Sequence, residues 1–94
     1  MPEMIFRVRW PDETESDCYS PSLVVRDHLV VGTEYPVADF LARAEAALTE
    51  ASARVQARYG FACSRALGQL QVIREMCGRF ADSGGARVRV LSFH

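Results

Sequence analysis

Residues Met4 to Trp10 alternate as a half-buried strand does. Met4, Phe6, Val8 and Trp10 fall on one face, and Ile5, Arg7 and Arg9 on the other. Pro11 stops the run, and Asp12-Glu13-Thr14-Glu15-Ser16 is a polar, acidic turn. A second strand through Asp17 to Tyr19 pairs back on the first, and Ser20-Pro21-Ser22 interrupts it because proline lacks the ladder donor. Leu23 to Val25 reads as more strand or a short turn of helix; the β-branched pair Val24-Val25 leans towards strand, giving a hairpin over residues 4–25. Val30 to Pro36 reads as an extended loop leading into a helix.

From Val37 the period changes. Val37, Leu41, Ala44, Leu48, Ala51 and Val55 recur at spacings of four and three, a narrow apolar seam for a facing helix. A second seam runs through Cys63, Leu67, Leu70, Ile73 or Arg74, Cys77 and Phe80, out of phase with the first. Gly60 sits at the mismatch and suits the left-handed residue that ends a helix. One unbroken helix from Val37 to Phe80 would run about 66 Å at 1.5 Å per residue, too long for one small domain. Two antiparallel helices, 37–59 and 61–81, are the better reading; a long kinked helix in an intertwined dimer is the alternative. Asp82-Ser83-Gly84-Gly85 predicts a flexible break, and residues 86–93 alternate again as a last strand. In that strand Val88, Val90 and Ser92 face one way, and Arg87, Arg89, Leu91 and Phe93 the other. This strand joins the hairpin beside the first strand or completes the sheet of a neighbouring subunit. The expected fold is a single α+β domain over residues 1–94, in the order β-β-α-α-β. Its small antiparallel or mixed sheet carries an αα-hairpin packed on one face.

Composition narrows the function classes. With 94 residues there is room for a modest core but not for a deep cleft plus a cofactor fold. The formal charge is −1, so no basic field holds a polyanion and nucleic-acid binding is not expected. All eleven basic residues are arginine, a bias that a high-GC genome explains without any function. Three cysteines make no disulfide framework, the N-terminus lacks a signal core, and no apolar run reaches the roughly 20 residues that span a bilayer. A cytoplasmic protein without membrane contact is expected.

Two dense segments carry the candidate chemistry: Asp17 to His28, and Arg58 to Leu67. Metal is not expected, because Cys18, His28, Cys63, Cys77 and His94 show no CxxC or HxxxH spacing. Cys63 and Cys77, on one helix, stand about 21 Å apart. With no GxGxxG and no P-loop, no cofactor is expected either. A catalytic reading takes Cys63 as nucleophile near a helix start, with His28 as its base. The plainer reading of Cys63 is a core position. Recognition is the third possibility: Tyr19, Arg26, Asp27, His28, Arg58, Tyr59, Phe61 and Arg65 combine the aromatic and arginine groups found at binding hot spots. An internal network, with Arg65 or Arg58 paired to Asp17 or Asp27, explains the same residues structurally.

The segments Phe6 to Asp12, Cys18 to Ser22, Arg26-Asp27-His28, Ala51-Ser52, Arg54-Val55 and Arg58 to Leu67 also carry a resemblance. Over about residues 1 to 75 the chain is similar to the small bacterial proteins named for the nitrogen-starvation response. The resemblance implies a gene cluster with a nitrilase, a radical SAM enzyme, an acetyltransferase, an aminoimidazole-ribotide-synthase-like protein and a flavoprotein. It implies a process and assigns no catalytic residue. The resulting expectation is a non-catalytic accessory protein, a homodimer through its small-residue seams and separated last strand. It binds an enzyme of that cluster, or a peptide-like or nitrile-related intermediate, through the Tyr19, Arg26, His28 and Arg65 surface. The rival is the small Cys63 enzyme. A transcriptional regulator is disfavoured, since no basic recognition helix is present.

Overall fold

In strand β1, Met4–Arg9, Phe6 and Val8 are fully buried while Arg7 and Arg9 are exposed on the opposite face, as the alternation requires. The computed structural model describes residues 3–82 and 84–94. Met1 and Pro2, and Ser83 in the expected break before the last strand, lie outside the described residues. A tight turn follows β1. The Trp10 amide donates to the Thr14 carbonyl (2.8 Å), and the Asp12 carboxylate accepts from the Thr14 amide and hydroxyl. Strand β2, Glu15–Ser20, returns antiparallel with Phe6 opposite Cys18 and Arg7 opposite Asp17.

The next segment takes the helical alternative and not the favoured strand. Leu23–Asp27 is a short 3₁₀ helix, seeded where the Ser22 hydroxyl accepts from the Val24 amide. A side-chain cap and the burial of Val24 and Val25 override β-branched propensity here. The loop from Val30 also holds more structure than its sequence predicts. Glu34–Pro36 forms a three-residue strand, β3, against the last strand, with Tyr35 opposite Val88. Its proline is tolerated because β3 lies at the sheet edge.

Helix α1 spans Val37–Tyr59, the expected bounds, and Gly60 closes it at φ 83° with its amide on the Gln56 carbonyl (2.8 Å). Helix α2 spans Ser64–Arg79, shorter than 61–81 because Cys63 is still extended (φ −80°, ψ 105°). The helices run antiparallel: Arg74 bonds Glu45 (2.8 Å) at one end, and the Cys63 amide reaches the Ser52 hydroxyl (3.3 Å) at the other. Both seams differ in detail from the sequence reading. In α1, Phe40 and Ala47 are fully buried beside Ala44, Leu48 and Ala51. In α2 the seam passes through Ala66, Leu70, Ile73 and Cys77, leaving Leu67 half exposed and Cys63 only partly covered.

Strand β4, Arg87–Phe93, lies between β1 and β3, so the antiparallel sheet has the order β2-β1-β4-β3. Its register shifts between Arg7 and Val8, which pair with Ser92 and Val90. Leu91 is thus an extra residue, and the shift reverses the expected facing of the strand's end. Phe93 opposes Phe6 and packs on the core, while Ser92 opposes Arg7. The α+β class with an αα-hairpin on one face holds. Under that hairpin Trp10 meets Phe40 edge-to-face at 5.7 Å and donates its indole N–H to the Ser16 hydroxyl (2.8 Å). No helix among the described residues is long and apolar enough to cross a membrane.

Candidate functional site

The two dense segments meet where the end of β2 passes the corner between the helices. The β2 edge would leave the Tyr19 amide unpaired, but the Gln69 side chain of α2 accepts it (3.0 Å) and fixes the helix start against the strand. Arg65, in the first turn of α2, lies over the Tyr19 ring with its guanidinium carbon 3.9 Å from the ring centroid. The same arginine stands 3.7 Å from the Glu3 carboxylate. On the α1 side, Arg58 lies over the Tyr59 ring (5.7 Å), and Tyr59 tilts against Phe61 (6.4 Å between centroids).

Beside these groups lies an open concavity of about 330 Å³, walled by Glu3, Tyr19, Pro21, Val55, Tyr59, Phe61 and Cys63. Tyr59 and Phe61 are 51% and 67% exposed, far beyond what a core aromatic shows. The cause is local: Gly60 ends α1 in the left-handed conformation and turns the chain outward before α2 begins. The Tyr19 phenol is pushed up from its ordinary range by burial first, with the Cys63 thiol beside it adding to the effect.

Not every predicted site residue belongs here. Arg26 and Asp27 are exposed on the 3₁₀ helix and do not line the concavity. His28 donates through Nε2 to the Glu50 carboxylate (2.8 Å), and Glu50 also accepts from Arg54 (3.3 Å). The His28 hydrogen bond is the main reason the Glu50 carboxyl is held below its ordinary range; the Arg54 bond acts the same way and burial opposes both. Glu50 and Ser52 project about 200° apart around α1, at 3.6 residues per turn. Since His28 is held by Glu50 and Cys63 by Ser52, the structure separates the proposed base from the proposed nucleophile. The expected ion pairs are also absent among the described residues: Asp17 is bound by Arg7 through two bonds (2.8 and 3.1 Å), not by Arg58 or Arg65.

Cys18 and Cys77 are buried, and desolvation pushes their thiols up to about 12 and about 11. Among the described residues no three His, Cys, Asp or Glu side chains converge as metal ligands would. Sequence reading missed Pro21, Val55 and Gln69 at this corner. Gln69 carries no sequence signal at all, since its partner Tyr19 lies 50 residues away.

No curated protein and no solved structure matches the chain. A family model does, and it reaches through β4, well beyond the stretch on which the sequence resemblance rests. With residues 5–93 matched to the model of the nitrogen starvation-induced protein NitG, the chain belongs to that family.

Proposed function

We propose that this protein is a non-catalytic accessory protein of the nitrogen-starvation response, acting in the cytoplasm. It docks an enzyme of a pathway built around a nitrilase and a radical SAM enzyme. The observation that carries the reading is the exposed Tyr59–Phe61 pair beside the Arg65-stacked Tyr19, arranged around one apolar concavity. Aromatic and arginine side chains of this kind form the anchors of protein interfaces. The concavity takes an apolar anchor side chain. Arg58, which has no carboxylate within ion-pair distance among the described residues, supplies a rim that suits an acidic neighbour of that anchor.

Docking is favoured over turnover because, among the described residues, the candidate base His28 is held by Glu50 and not by Cys63. Of the residues first assigned to the surface, Tyr19, Arg58, Tyr59 and Arg65 remain in the proposal, joined by Phe61. The homodimer expectation rests on features that one chain already satisfies, since Ala44, Ala47 and Ala51 are buried internally and β4 pairs with its own β1.

Native mass spectrometry of the tagged protein from its nitrogen-starved host tests the reading. A stoichiometric complex with a nitrilase or radical SAM enzyme is expected. A bare monomer or homodimer contradicts it.

A further inference from the structure

Among the described residues the second face of the sheet carries no helix, and its central strands present four arginines: Arg7 and Arg9 from β1, Arg87 and Arg89 from β4. Arg9 and Arg89 are direct cross-strand partners, a like-charge placement that disfavours the pair unless anions lie between or beside them. The flanking strands supply some of these. Arg7 is the most engaged, donating to Asp17 through Nε and Nη2 (2.8 and 3.1 Å) and approaching Glu15 through Nη1 (3.9 Å). Arg9 makes one bond, Nη2 to Glu15 (3.1 Å). Arg89 has only a 3.6 Å approach to Glu34, without a hydrogen bond. Arg87 has no carboxylate within 4 Å among the described residues. Each guanidinium offers five N–H donors, so unused donor capacity rises steadily from Arg7 towards Arg87.

That end of the face is also where the surface sinks. Arg9, Arg87 and Arg89 line a concavity of about 310 Å³, whose lining also includes the carboxylates Glu13 and Glu34. Its contents are the planar, forked donors that suit bidentate recognition of carboxylate or phosphate oxygens. The columns of the face run acidic, basic, basic, acidic from β2 to β3, so a centred two-fold stacking of a second copy would set arginine over arginine. We propose that Arg87, Arg89 and Arg9 form a binding site for an oxyanion, a carboxylate or a phosphoryl group of a small ligand. This site stands apart from the aromatic corner and does not depend on the docking function.

The test is a ¹H–¹⁵N NMR titration, including the arginine Nε–H signals, with inorganic phosphate and separately with succinate. Ionic strength is held constant with sodium chloride, because exposed charges are screened by salt. Saturable shifts are expected at Arg87, Arg89 and Arg9. Arg87→Gln is expected to weaken the midpoint at least fivefold, and Arg7→Gln, whose donors are already engaged, to change it less than twofold. Saturation by phosphate alone assigns a phosphoryl ligand, by succinate alone a carboxylate, and by both an oxyanion site without preference. Shifts no larger than those given by matched chloride overturn the site. So does saturation that Arg87→Gln leaves unchanged.

Discussion

The guanidinium of Arg65 rests on the ring of Tyr19, 3.9 Å from its centroid, and so joins the first turn of α2 to the edge strand β2. This stack and the Gln69 bond to the Tyr19 amide tie α2 to β2 at the corner. Arg65 is largely exposed, so its energy belongs at the lower end of the cation–π range. A double-mutant cycle of Arg65→Met and Tyr19→Leu, read by urea denaturation, should give a coupling of about 0.5–1 kcal/mol. A coupling of zero would show that the two residues do not hold the corner together.

Phe61 and Phe40 make a contrasting pair, one 67% exposed and the other fully buried against Trp10. Phe61→Ser should leave stability within about 0.5 kcal/mol of the parent, as surface changes do. Phe40→Ala should cost about 3–5 kcal/mol, as a core aromatic truncation does. Thermal and urea unfolding of the two variants check this, and a strongly destabilised Phe61→Ser would place that ring in the core.

Gly60 has φ 83°, where any side chain is strained even though open space surrounds its α-carbon. Gly60→Ala should therefore cost about 1–2 kcal/mol, the penalty of the left-handed conformation for a residue with a β-carbon. An unchanged urea midpoint would contradict that origin of the corner.

The His28–Glu50 bond predicts a pH dependence with a definite sign. The folded Glu50 carboxyl titrates below its ordinary value of 4.5. Its contribution is therefore present above pH 4.5 and is lost as pH falls through the folded value. Stability measured from pH 6 to pH 3 should decline less in Glu50→Gln than in the parent. Equal declines would show that the bond makes no difference to folding.

Thiol chemistry separates the three cysteines. Cys63 is partly exposed, whereas Cys18 and Cys77 are buried with their thiols pushed up to about 12 and about 11. An aromatic disulfide reagent at neutral pH should modify one thiol quickly and the other two only after unfolding. Cys63→Ser should remove the fast phase, and a fast phase that survives it would contradict the assignment.

Much of this fold was legible because local patterns and tertiary demands agree. The alternation of Phe6, Val8 and Trp10, the bounds of α1 and the break at Gly60 are all local signals. The misreadings fall where a non-local partner decides. Val24-Val25 looks like strand, but the Ser22 cap and the core make it a 3₁₀ turn. Glu34–Pro36 is too short to read as a strand without its partner β4, and the Leu91 bulge turns Phe93 inward against the alternation. At the site, Tyr19, Tyr59 and Arg65 were legible as an unusual composition. The tie of His28 to Glu50, 22 residues away, was not, and that tie separates His28 from Cys63.

The proposed docking role is tested most directly by titrating the purified protein against a purified nitrilase and a purified radical SAM enzyme, the partners proposed for it, with Phe61→Ser alongside. A saturable one-to-one complex with one of them is expected, weakened at least tenfold by Phe61→Ser while the variant keeps its fold. A complex that Phe61→Ser leaves untouched, or none with either enzyme, would contradict the assignment of the aromatic corner as the docking surface.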